Sequence, residues 1–319
     1  MSKRMARGED EEMTRCASAE AELEEPQVID AVVKDLGGGL EIRRALPRVK
    51  RRMIGPWCFL DHFGPLALDG GNGMDVAPHP HIGLQTVTWL IDGEVMHKDS
   101  LGSRQLIRPG QLNVMTSGRG ISHSEETPDE HAPSLHGVQF WVALPEAERA
   151  RPPEFEHHPA LPRLQRDGLD ISVVTGEALG ELSPAQMYSP MMGLDVRAHT
   201  DGDRTIPLNP AWEHGIVVLV GEVEAQGVKL VPGQLCYLGV GREHLRIKND
   251  APAHFIVVGG APFGEEIVMW WNFVARDKAE IEKARLDWER QEEYFGRVDD
   301  YAGPWLRAPS WRQRPMDKG

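Results

Sequence analysis

From Val28 onward the chain is a succession of apolar runs four to eight residues long, cut by Gly, Pro, Asn and Asp. Thr86–Ile91, Leu112–Met115, Gly137–Leu144, Ile171–Val174, Gly215–Val220 and Phe255–Val258 are of this kind. Such runs are rich in Val, Ile and Trp, whose bulk suits a pleated surface, and they are bounded by turn residues. The pattern predicts an all-β protein built as barrels or sandwiches. Two short phrases recur in the same order. Leu90-Ile91-Asp92-Gly93-Glu94-Val95 is answered by Leu219-Val220-Gly221-Glu222-Val223, and Pro109-Gly110-Gln111-Leu112 by Pro232-Gly233-Gln234-Leu235. Their repetition predicts an internal duplication, two barrels of similar topology. Between them Pro145–Pro162 is dense in proline, which fixes φ and removes backbone donors, so it reads as a stiff linker.

A length of 319 residues fits two domains, each large enough to bury a core without disulfides. A net charge of −14 argues against nucleic acid as a direct partner, because phosphate binding needs clustered Lys and Arg. The short basic run Arg48, Lys50, Arg51 and Arg52 reads as a solvated loop or strand end. Cys16, Cys58 and Cys236 are odd in number and far apart, so no disulfide framework is expected and a reducing compartment fits. No stretch approaches the ~18 consecutive apolar residues of a membrane span, and the Glu-rich amino terminus has no apolar signal core. These features predict a cytoplasmic protein with no membrane partner. The expected layout is a disordered acidic tail at 1–27, a first barrel at 28–144 and the linker at 145–163. A second barrel follows at 164–296, then a tail at 297–319 whose role is not legible. The second barrel should carry a helix over 277–295, capped by Asp277, with Ile281, Ala284, Trp288 and Phe295 on one face and Gly296 as its stop.

Chemistry concentrates in the first copy. In Pro78-His79-Pro80-His81 the two imidazoles are two residues apart, so on a strand they point the same way. His123-Ser124-Glu125 repeats that spacing 42 residues after His81. Two facing strands inside a barrel would converge three nitrogens and one carboxylate, a donor set for Fe(II), Mn(II), Ni(II) or Zn(II). Gln85 and Trp89, with Val87, share the parity of His81. Gln85 is therefore read as lying beside the ligands or packing structurally, and Trp89 as a core residue. His62 and His97 read as hydrogen-bonded loop positions. His136 reads as a structural strand residue, with its neighbour Gln139 lining the cavity.

Gly73, His79-x-His81, Gln85 and Gly93 resemble the first cupin motif, and Pro109-Gly110 with His123 the second. More narrowly, the chain resembles the pirin family. The matching segments are Phe59-Leu-Asp-His-Phe-Gly64, Pro78-His-Pro-His-Ile-Gly83, Met115-Thr-Ser-Gly-Arg-Gly-Ile-Ser-His-Ser-Glu125, Leu135-His-Gly-Val-Gln-Phe-Trp141 and Gly176-Glu-Ala-Leu-Gly180. The resemblance implies two cupin (jelly-roll) barrels in tandem, with non-haem iron in the first held by His79, His81, His123 and Glu125. It also implies one of two functions. One is a dioxygenase that cleaves quercetin-like flavonols with O2 and releases carbon monoxide, with Glu125 as the base. The other is a metal-dependent, redox-sensing binding protein that regulates a transcription factor or metabolic enzyme. A zinc sugar isomerase, as in other cupins, is a third and weaker reading. In the second copy, Pro207, Asn209, Arg246 and Lys248 stand where the four ligands stand in the first, so no metal is expected there. His214 and His244 then read as ordinary structural or surface residues.

Overall fold

The computed structural model describes residues 23–35, 40–68 and 73–310. Most of the expected acidic tail and the last residues of the carboxyl tail lie outside them. The described chain is mostly strand, with one α-helix, Lys278–Glu289.

Each barrel pairs a large sheet with a small one. In the first, a seven-stranded sheet runs in the order Glu154–His158, Leu112–Thr116, Leu84–Asp92, Ser134–Ala143, Trp57–Ala67, Glu41–Leu46 and Val32–Asp35. It faces a four-stranded sheet in the order Asp75–His81, Ile121–Glu126, Val95–Asp99 and Arg104–Ile107. The second barrel repeats the plan. Its large sheet is centred on Glu213–Val220, Ala253–Gly260 and Met191–Ala198, and its small sheet on Gly202–Pro207 and His244–Asn249. The expected all-β duplication is what the chain adopts.

The two large sheets pack face to face. One buried cluster contains Val87, Trp89, Val114, Val138 and Phe140 from the first sheet and Val217, Leu219, Leu235, Ile256 and Val258 from the second. Trp89 is therefore a core residue, but between the barrels and not on the wall of a cavity. The interior of the second barrel is hydrocarbon: Leu245 and Ile247 point inward, while Arg246 and Lys248 alternate outward into solvent.

Three segments sit differently from the expected layout. Gln27–Asp30 adds to Gln234–Gly239 at the edge of the second barrel, although it precedes the first. Within residues 145–163, Glu154–His158 pairs with Leu112–Thr116 and extends the first barrel's large sheet. The prolines that suggested a linker flank this strand and leave its own amides free to pair. The helix ends at Glu289 and not near residue 295. Asp277 caps its start by accepting from the Glu280 amide (2.9 Å). Gln291, at φ 58°, ends it in a left-handed turn in which the Glu292 amide returns to the Asp287 carbonyl and the Gln291 amide to that of Trp288. Phe295 still reaches the same core, from a separate 3-10 turn, Glu293–Phe295. No helix of the described residues is long and apolar enough to cross a membrane.

Candidate metal centre

Three neighbouring strands of the first barrel's small sheet carry the cluster. His123 lies opposite His79 on one side and opposite Asp99 on the other, and Glu125 lies opposite His97. Alternation along each strand turns all of these inward, and all are buried. Ligand atoms of His79, His81 and His123 lie within 4.8 Å of one another, as do those of His97, His123 and Glu125. The structure thus brings His79, His81 and His123 together, while Glu125 falls in a second group with His123 and with His97, which was not expected there.

Glu125 is oriented by polar contacts from the large sheet. Gln139 donates to its Oε2 (3.2 Å) and the Thr88 hydroxyl lies 3.5 Å from its Oε1. Gln139 thus faces the cluster through its bond to Glu125. Aromatic rings close the flanks: Trp141 sits edge-on to His81 (5.1 Å between centroids), and Phe155 stacks on His97 at 4.4 Å and 12°.

Burial sets the electrostatics. It lowers His79 to about 4, and it drops His81 and His123 well below the ordinary imidazole range, helped by the neighbouring imidazoles. Burial raises the Glu125 carboxyl, opposed by His97 and by hydrogen bonds from Gln139 and Thr88. Neutral imidazoles are the form that binds metal. Their outward nitrogens are also occupied. His79 Nδ1 donates to the Ala77 carbonyl (2.9 Å) and His81 Nδ1 to the Asn272 carbonyl (3.0 Å), so each Nε2 keeps a lone pair directed inward. Nε2 of His81 and Nε2 of His123 are 3.1 Å apart. Two nitrogens each ~2.1 Å from one ion would be separated by roughly 3.0 Å at a right angle and 3.4 Å in a tetrahedron. The three imidazoles and their spacing fit a single divalent ion, and the Glu125 carboxylate lies in the adjoining group with His123 and His97.

His62 and His97 stand apart from the expectations, and Gln85 takes the second of its two readings, structural packing. His62 lies on the strand Trp57–Ala67, paired with Val138, and not in a loop. Gln85 does not lie beside the ligands: its amide donates to Thr116 Oγ1 (3.0 Å) and to the Gln186 carbonyl of the second barrel (2.9 Å). Parity counted from His81 fails because Ile82-Gly83 breaks the strand. Gly83 adopts φ 70°, and a Cβ there would collide with the Val274 carbonyl oxygen, so the chain turns from the small sheet into the large one at this point. His97 is not a loop residue but sits inside the barrel on Val95–Asp99. The available signal was His97-x-Asp99, the same two-residue spacing as the other pairs, directly after the Gly93 turn.

Two double-sheet barrels in tandem, one holding a buried three-imidazole and carboxylate cluster and the other filled with hydrocarbon, define a bicupin. The Pirin family model matches residues 39–142 and the Pirin C-terminal cupin domain model residues 193–294. The chain belongs to the pirin family. It is 47% identical over 285 residues to the Pseudomonas aeruginosa protein named "Putative quercetin 2,3-dioxygenase PA1205", covering 89% of this chain and 90% of that one. It is 31% identical over 272 residues to human Pirin, covering 82% and 91%. A crystal structure of quercetin 2,3-dioxygenase from Acinetobacter baumannii superposes with a TM-score of 0.88 at 44% identity, covering 91% of this chain and 97% of that one.

Proposed function

We propose that His79, His81, His123 and Glu125 hold one first-row divalent ion, foremost Fe(II) with Mn, Ni or Zn as alternatives, and that the protein is a dioxygenase acting on quercetin-like flavonols with O2. The observation that carries the metal reading is the convergence of inward lone pairs, with His81 and His123 Nε2 at 3.1 Å. The substrate class is supported by the similarity to proteins named for that activity. When bound, the ion supplies Lewis acidity toward a substrate oxygen and redox capacity toward dioxygen.

The protein's own part is positioning and proton handling. Glu125 accepts the flavonol hydroxyl proton, a role suited to a carboxylate whose affinity for protons is raised by burial. Gln139 and Thr88 hold that carboxylate toward the cluster. Trp141 and Phe155 screen the imidazoles from water on two sides. Holoprotein reconstituted with Fe(II) is expected to bind about one ion per chain, consume quercetin and O2 together, and release carbon monoxide. Iron-loaded protein that consumes neither would reject the enzyme reading and leave a metal-dependent binding protein. Two ions per chain would reject the site assignment.

A further inference from the structure

His79 and His81 have their tautomers fixed by backbone carbonyls, which only accept. His123 has no carbonyl. Its Nδ1 faces another ring nitrogen, Nδ1 of His97, at 3.4 Å, and two imidazoles can share a proton in either direction. The direction is decided one residue further out. His97 Nε2 lies 3.2 Å from Asp99 Oδ2, and a carboxylate only accepts. Asp99 Oδ1 accepts from two backbone amides, which leaves Oδ2 to accept from His97. A His97 whose one proton is donated to Asp99 from Nε2 has a bare Nδ1. That nitrogen accepts from His123 Nδ1–H, and His123 Nε2 is then bare and directed at the other two imidazoles. The opposite direction would put the proton on His123 Nε2, where it would bond to His81 and leave no lone pair for a metal. It would also set a bare His97 nitrogen against the Asp99 carboxylate.

We propose that Asp99 and His97 form a relay of positioning residues that holds His123 in its metal-binding tautomer. The proposal rests on the reading of His123 as a ligand. Both members are fixed independently of the site. Asp99 Oδ1 accepts from the Leu101 amide (2.9 Å) and the Ser103 amide (3.0 Å), and the His97 ring lies flat on Phe155. The same two amides make Asp99→Asn a directional test. They keep the asparagine oxygen where Oδ1 was, so its NH2 group faces His97 Nε2 and reverses every bond in the relay. An aspartate-to-asparagine change that imposes the wrong histidine tautomer is a known way to disable a site while keeping its geometry.

In metal-free protein, 15N NMR of the imidazoles is expected to show His123 protonated on Nδ1, and protonated on Nε2 after Asp99→Asn. Affinity for Zn(II) and Fe(II), measured by chelator competition, is expected to fall about 10–100-fold in Asp99→Asn. The melting temperature of the metal-free protein should change little. His97→Phe, which keeps an aromatic ring on Phe155 but loses the acceptor, should show a similar loss. His97→Gln can accept from His123 and donate to Asp99 and should restore affinity to within a few-fold of wild type. Asp99→Asn protein that binds both ions as tightly as wild type, or that keeps His123 protonated on Nδ1, overturns the relay. Wild-type protein that binds neither ion overturns the ligand reading instead, and the NMR arm then decides the relay without metal.

Discussion

Glu125 and Gln85 are both buried polar side chains in the first barrel, and they make opposite predictions. Glu125→Gln is nearly isosteric and can still meet Gln139 and Thr88, but it trades an anionic donor for a weak neutral one and removes the base. Quercetin turnover is expected to fall at least 100-fold even with iron in excess, the usual scale for losing a positioned base. Turnover within tenfold of wild type would sink the role assigned to Glu125. Gln85→Glu touches no ligand. It replaces an amide donor by a carboxyl facing the Gln186 carbonyl, where Gln85 Oε1 already lacks a partner. Metal content should stay near wild type while stability drops by about 2–4 kcal/mol in a denaturant titration. The inward direction of His79, His81, His123 and Glu125 was legible because i, i+2 pairs keep their meaning within one strand. For Gln85 only the packing alternative held, because parity cannot be counted across the bend at Gly83. His97 was not legible, because a single histidine shows its value only when folding sets it between His123 and Asp99.

Elements show the same division between local and non-local information. The helix start was legible in Asp277, and its buried face in Ile281, Ala284 and Trp288. Its end was not, since Gln291 takes a left-handed conformation that the sequence signals only when glycine occupies it. That position gives a stability prediction. Gln291→Gly relieves the left-handed strain at the cost of one side-chain bond to the Trp288 carbonyl (2.9 Å). A gain of about 0.5 kcal/mol in denaturant midpoint analysis is expected, and a loss would mean that the side-chain bond outweighs the backbone term. The carboxyl segment, illegible in the sequence, works as a strap. The Leu306 amide donates to the Pro78 carbonyl (2.8 Å), Tyr301 to Asp75 (2.8 Å), and Trp305 packs edge-on against Trp288 (5.0 Å). The first of these bonds engages a carbonyl on the free edge of the strand that carries His79 and His81, and the second ties the segment to that strand's start. Nothing in its local sequence names that edge as its partner.

At the scale of the molecule, the barrels are joined by more than a linker: each lends residues to one apolar cluster, and Gln27–Asp30 crosses to the second sheet. That shared face also buries histidines. His62 Nε2 and His136 Nε2 are 2.8 Å apart, and His254 from the opposing sheet is bonded to Asp195. Burial lowers both His62 and His136. For His62 the neighbouring His136, Arg43 and His254 add to the effect; for His136, His254, Arg43 and Arg197 lower it further and Asp92 opposes. In the second barrel, burial lowers His214 to about 4. The sign follows from linkage. These groups take up protons near pH 6.5 when unfolded and resist them when folded, so the unfolded chain binds more protons in that window. Their stabilisation is complete above about pH 6.5 and is lost as pH falls toward their folded values, with a slope approaching ~1.4 kcal/mol per pH unit for each group. Wild-type protein should therefore lose stability between pH 6.5 and 5, where most surface carboxylates stay ionised. His136→Gln keeps a polar partner for His62 while removing one titrating ring, so its pH slope should be shallower by up to that amount. An unchanged slope in the variant, measured by denaturant titration at matched ionic strength, would show that the histidines between the barrels do not set the acid sensitivity.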